Sequence, residues 1–211
     1  MSFLTRKIAK NIRMMKLYGI EPTLGAHLEG FAYRVFGKKS KIDKGRHQRV
    51  EIQLLNTVKR VLSIDEYERE SSPLRNDAPI WVMWWQGQEN YSEVVLAAIN
   101  SINIHAGNHK VIEVSKDNIE QYIWLPQDIV DMFMNGIISI THFSDIIRFA
   151  FLEKYGGIWV NSIIFLIQSF LDSIYSFLIF TIKRPEANNS YIANAQWTTC
   201  FIGCGENNPF P

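Results

Sequence analysis

Hydrophobic positions in residues 1–70 recur at three- and four-residue spacing, interrupted at Gly19-Ile20-Glu21-Pro22 and Gly37-Lys38-Lys39-Ser40, which predicts a helical N-terminal region. Residues 71–79 are polar, contain Pro73 and Pro79, and read as a linker. The pattern then changes. Across 80–211 short apolar runs alternate with helical ones, the signature of an α/β domain with a mainly parallel sheet. Ile80–Trp85 is the first predicted strand, followed by a turn at Gln86-Gly87-Gln88-Glu89. Asn90 and Glu93 form a predicted capping pair for a helix through Val94, Val95, Ala98, Ile102 and Ile104. His109–Val114 follows as a strand, Asp117–Tyr122 and Gln127–Met134 as short helices, and Thr141 to Lys154 as a longer helix stopped by Tyr155-Gly156-Gly157. Ile158–Phe165 reads as a buried strand.

The apolar run Ser162–Ile182 is long enough to cross a bilayer. It contains Gln168 and Asp172 and is diluted by Ser162, Ser169, Ser173, Ser176 and Thr181. A charge near the middle of a span costs about 3 kcal/mol on insertion scales, so buried strand, loop and helix is the better reading.

A chain of 211 residues, 47% apolar, can build a core without staples, and Cys200 and Cys204 alone make neither a disulfide framework nor a zinc site. Nothing argues for an oxidising compartment, and the cytoplasm is the expected location. The net charge of +1 conceals a split: residues 1–60 hold 14 Lys/Arg against 4 Asp/Glu, the remainder 8 against 17. Arg6, Lys7, Lys10, Arg13 and Lys16 interleave with Phe3, Leu4, Ile8, Ile12 and Met15, an amphipathic pattern suited to the anionic inner face of the cell membrane. No motif for nucleic acid accompanies these basic residues.

The chemistry-bearing residues cluster between 142 and 162. On a helix, His142, Asp145 and Arg148 form one polar stripe while Ile146, Ile147, Ala150, Phe151 and Leu152 face elsewhere. Gly156-Gly157 permits a sharp turn and close approach of a ligand, and also fits a plain helix cap. Asn161-Ser162 ends an apolar strand with polar groups, where open α/β sheets bind ligands. Asp145 and Arg148 also fit a simple ion pair at i, i+3 spacing. Strand alternation sends Trp84 to one face and Trp81 and Trp85 to the other, so only one face can line a pocket.

Taken together, Ser144-Asp145 with Arg148, the helix, Tyr155-Gly156-Gly157-Ile158-Trp159 and the polar strand end resemble the capsular polysaccharide synthesis proteins, relatives of glycosyltransferases with a DXD sugar-binding region. Trp84-Trp85-Gln86-Gly87 is similar to the turn after that family's first strand. Phe201-Ile202-Gly203 with Glu206-Asn207-Asn208-Pro209 is similar to a late segment, so the likeness covers most of 79–211. The resemblance implies an α/β fold of GT-A type, a Rossmann-like nucleotide-sugar-binding domain behind the helical N-terminal arm. It implies transfer of a sugar, with retention, from a nucleotide-diphosphosugar donor to a glycan or lipid-linked acceptor of capsular or surface polysaccharide. The donor-binding residues so implied are Trp85, Gln86, Gly87, His142, Asp145, Arg148, Gly156, Gly157, Trp159 and Asn161, with Asp145 and Arg148 gripping the sugar. A divalent cation, Mn or Mg, would bridge the diphosphate, Asn161 being the candidate ligand.

One departure bears on this. Asn161 stands where the family's motif has its first Asp, and Ile163 stands two positions on. An amide can bond a hydroxyl but brings no charge to a hard cation. With the chain stopping at Pro211, this leaves a second expectation, a truncated or inactive relative acting as a non-catalytic sugar-nucleotide- or membrane-associated module.

Overall fold

The computed structural model describes residues 72–170, 172–183, 197–206 and 208, together with Ile12, Val35, Ile52, Leu55 and Asn56. Those five are helical and exposed, and the rest of the predicted helical region 1–70 lies outside the described residues. Among the described residues there are five strands, β1 (Ile80–Met83), β2 (Val111–Val114), β3 (Gly157–Val160), β4 (Ile179–Thr181) and β5 (Phe201–Cys204). Three helices accompany them, α1 (Glu93–His105), α2 (Gln127–Met134) and α3 (Ile140–Tyr155).

The strands form one sheet in the order β2-β1-β3-β5-β4. β1 runs parallel to β2 and β3, whereas β5 is antiparallel to β3 and β4. The sheet is therefore mixed, not mainly parallel as expected, because the C-terminal segment returns along β3 with Gly157 opposite Cys204 and Val160 opposite Phe201.

Alternation along four-residue strands divides the core between two faces. Trp81, Met83, Val114 and Trp159 pack with Phe143, Ile147, Phe151 and Leu152 of α3. On the other face, Ile80, Val82, Ile158 and Val160 pack with Val95, Ile99 and Ile102 of α1. Helices thus cover both faces, and the chain passes from β1 to β2 on one side and back across to β3 on the other. Between β1 and β3 the direction of winding reverses, the kind of point where α/β sheets take ligands at their carboxyl ends.

Several boundaries differ from expectation for local reasons. Ser92, not Asn90, caps α1, its Oγ accepting from Val95 N at 3.4 Å. Asn90 lies in a 3-10 turn, Gln88–Asn90, and its amide donates to Gln86 O. β3 ends at Val160, and Ile164 N donates back to Asn161 O at 2.8 Å, closing a turn that stops the strand short of Phe165. Residues 161–170 consequently form a loop, and a 3-10 turn at Asp172–Ser176 and β4 come after it; Ile163, Phe165 and Ile167 are exposed, not buried. No helix among the described residues is long and apolar enough to cross a membrane. Within the predicted linker, Leu74 and Ala78 are buried in the α1-side core, whereas Ser72, Pro73, Arg75, Asn76 and Asp77 are exposed.

Candidate functional site

Because β1, β2 and β3 are parallel, the loops that follow them, beginning at Trp84, Ser115 and Asn161, all emerge on one edge of the sheet. Two polar assemblies occupy that edge.

The first lies between the loops after β1 and β2 and encloses a cavity of about 520 Å³. Trp84, Gln86, Gly87 and Gln88 line it from one loop and Glu113, Lys116, Asp117 and Asn118 from the other. Backbone bonds stitch the loops together: Trp84 N donates to Val114 O at 2.9 Å and Lys116 N to Trp85 O at 3.1 Å. Asn118 folds its own loop, accepting from Ser115 N and donating to Glu113 O. Gly87 adopts φ +84, and a side chain there would press towards Asp117 Oδ2. Glu113 is the group these loops hold in place. Its Oε2 accepts from Gln88 Nε2 at 2.8 Å and from the Tyr91 hydroxyl. Burial first, and then the Glu113 carboxylate, push the Tyr91 hydroxyl above its ordinary range, so it remains a donor. Both bonds fall on one oxygen, which leaves Oε1 to accept from a ligand.

The second assembly is at the end of β3. Arg148 is only 2% exposed, projecting from α3 beneath the strand end. Its Nη1 donates to Asp145 Oδ1, its Nη2 to Asn161 Oδ1 at 2.9 Å, and its guanidinium lies 5.4 Å from the Trp159 ring centroid. Nε, also buried, has no partner among the described residues. Burial pulls the guanidinium below its ordinary value while Asp145 acts in the opposite direction. Trp159 Nε1 is the second donor to Asn161 Oδ1, at 3.0 Å. Asp145 remains 40% exposed in its side chain, so it presents carboxylate to the edge while Arg148 holds it from below.

The sequence-derived site residues divide accordingly. Gln86 and Gly87 line the cavity; Asp145, Arg148, Trp159 and Asn161 form the second assembly. Trp85 packs edge-on against Phe133 and Phe143, and Trp84, on the opposite face, lines the cavity instead. Arg148 and Trp159 are both buried, and their N–H groups donate to Asp145 and Asn161. Gly156 and Gly157 lie at the amino end of β3, where the close approach is made by protein: added Cβ atoms would meet Glu206 N at 2.7 Å and Pro79 O at 2.4 Å. His142 is exposed in the first turn of α3 and exchanges bonds with the cap residue, its Nδ1 lying 2.9 Å from Ser139 Oγ. Glu113, Asp117 and Lys116 were not found from sequence; the available signal was one carboxylate inside the apolar strand Val111-Ile112-Glu113-Val114.

The donor set for a divalent cation is poor. Such ions take oxygen ligands, usually including one or two protein carboxylates. Among the described residues no group of three or more His, Cys, Asp or Glu could hold one. Asn161 has committed its oxygen to two N–H donors, and Ile163 offers an apolar side chain. The residues at this strand end do not fit the expected metal.

Fold and edge together define an α/β protein with a polar cavity at the carboxyl ends of its parallel strands. The family model for the capsular polysaccharide synthesis protein matches residues 32–211, and the chain belongs to that family. The family's description ties it to capsular polysaccharide synthesis. No curated protein and no solved structure matches the chain.

Proposed function

We propose that the chain is a glycosyltransferase of GT-A type that binds a nucleotide-diphosphosugar at the carboxyl edge of β1, β2 and β3 and passes its sugar to a growing capsular or surface polysaccharide. The observation that carries this reading is the pairing, on one edge, of a cavity of nucleoside size with a carboxylate held at the neighbouring strand end. Glu113 Oε1 accepts from the ribose hydroxyls, the role that an acidic residue roughly 20 residues beyond the first strand's turn plays in dinucleotide folds. Trp84 supplies the apolar surface for the base. Asp145 accepts from hydroxyls of the sugar, its orientation fixed by the bidentate hold of Arg148 on it and on Asn161. The acceptor is a glycan or lipid-linked chain, and the basic residues within 1–60 attract the anionic inner face of the membrane where such an acceptor is carried.

The reading is tested by calorimetric titration of the full chain with uridine, guanosine, cytidine and thymidine diphosphosugars, followed by turnover with lipid-linked acceptors. Binding of one nucleotide series with transfer supports the enzyme. Binding without transfer, in a chain whose motif carboxylates are replaced by Asn161 and Ile163, favours the non-catalytic sugar-nucleotide module. No binding from folded protein overturns both.

A further inference from the structure

The amide of Asn161 is oriented by its neighbours. Two N–H groups, Arg148 Nη2 at 2.9 Å and Trp159 Nε1 at 3.0 Å, converge on one atom of it, and only an oxygen can accept from both. Turning the amide over would set its NH₂ against two donors, one of them on a buried cation. The oxygen's two lone pairs are therefore spent towards the protein interior. The NH₂, the other substituent in the amide plane, has no partner among the described residues and is the polar group left for a ligand. Charge agrees with this polarity. Arg148 and Asp145 offset each other, and Asn161 adds nothing, so the strand end lacks the surplus negative charge that would attract a cation.

We infer that this strand end binds an oxygen of the donor's diphosphate directly, through Asn161 Nδ2, without a bridging divalent cation. The inference rests on the nucleotide-diphosphosugar reading and departs from the metal-bridged arrangement that the family resemblance implies. A carboxylate at the same position would have the same shape and could accept from Arg148 and Trp159 equally well. It would differ in one respect, presenting a charged acceptor to the ligand in place of a donor.

Asn161→Asp is thus the discriminating substitution, since it keeps both internal bonds and reverses only the outward group. Nucleoside diphosphates are titrated into the full chain in EDTA and in manganese, with bound manganese followed separately by electron paramagnetic resonance. The wild-type chain should bind with the same affinity in both buffers and should take up no manganese. Asn161→Asp should melt no lower than wild type, yet bind the nucleotide about tenfold or more weakly in EDTA, the scale of one hydrogen bond to a charged group exchanged for a repulsion. Nucleotide binding by wild type that requires manganese overturns this inference and leaves the glycosyltransferase reading standing. Equal affinity of the two chains in EDTA also overturns it. Absence of binding in either buffer removes the inference and the donor reading together.

Discussion

The two polar assemblies on the carboxyl edge are built on opposite principles. Between β1 and β2 the site is made of loops whose backbones hold one another, and the carboxylate of Glu113 is added to an already closed frame. At the end of β3 the frame is made of side chains: Arg148 of α3 donates to both Asp145 and Asn161, and Trp159, packed on α3, donates to Asn161 as well. A ligand group held by backbone can be altered locally, whereas one held by a buried cation takes its surroundings with it when that cation is lost.

The comparison is most severely stressed at Arg148. Arg148→Ala leaves Asn161 Oδ1 short of a donor, Asp145 without its cation and a cavity against Trp159, and is expected to lower unfolding free energy by about 3 kcal/mol in urea titration. A change below about 0.5 kcal/mol would show that the network carries no structural weight. Gly157→Ala should cost about 2 kcal/mol or more in the same assay, because φ is +99 and the new Cβ meets Pro79 O. Glu113→Gln sharpens the contrast from the other side. It should weaken nucleoside diphosphate binding about tenfold while stability stays within about 1 kcal/mol of wild type, since the loop backbones close the frame without it. A loss of stability matching that of Arg148→Ala would erase the distinction between the two assemblies.

The smallest expected effect concerns the thiols. Burial pushes Cys204 up to about 12, and its Sγ lies against Leu152 O, while Cys200 is half-buried beside Thr198. Near pH 8 a thiol reagent should therefore label Cys200 first and Cys204 only on unfolding. The stability contributed by keeping the Cys204 thiol neutral is complete below its ordinary value of 9.0 and is lost as pH rises towards 12. Equal labelling rates in native protein would contradict the packing of β5 on α3.

Elements with strong local signals were legible in the sequence. α2 runs over the predicted Gln127–Met134, and α3 extends the predicted helix by one residue at each end, because periodic apolar faces and a positive-φ glycine define them locally. β5 was not legible as a strand, since its pairing with β3 joins residues more than forty positions apart and no local pattern records it. The buried strand expected through Phe165 failed for a related reason: apolar composition does not reveal where partner strands run out. Asp145 and Asn161 were singled out by a polar stripe and a polar strand end, and the Asp145–Arg148 pair was legible from its i, i+3 spacing, but the bond from Arg148 to Asn161 needed geometry. Glu113 was overlooked because its importance lies in two loops converging on it, not in any spacing around it. The capping residue of α1 was missed by two positions because Asn90, a good cap by type, uses its side chain on Gln86 O instead.

The central claim is that the carboxyl edge of β1, β2 and β3 receives the nucleotide-diphosphosugar. Hydrogen–deuterium exchange of the full chain, with and without the best-binding member of the nucleotide panel, tests it most directly. Slowed exchange is expected in residues 84–91 and 113–118 and around Asn161, with the opposite edge unchanged. Protection confined to the cavity of about 440 Å³ lined by Asn76, His109 and Tyr175, near the start of β2, would contradict it.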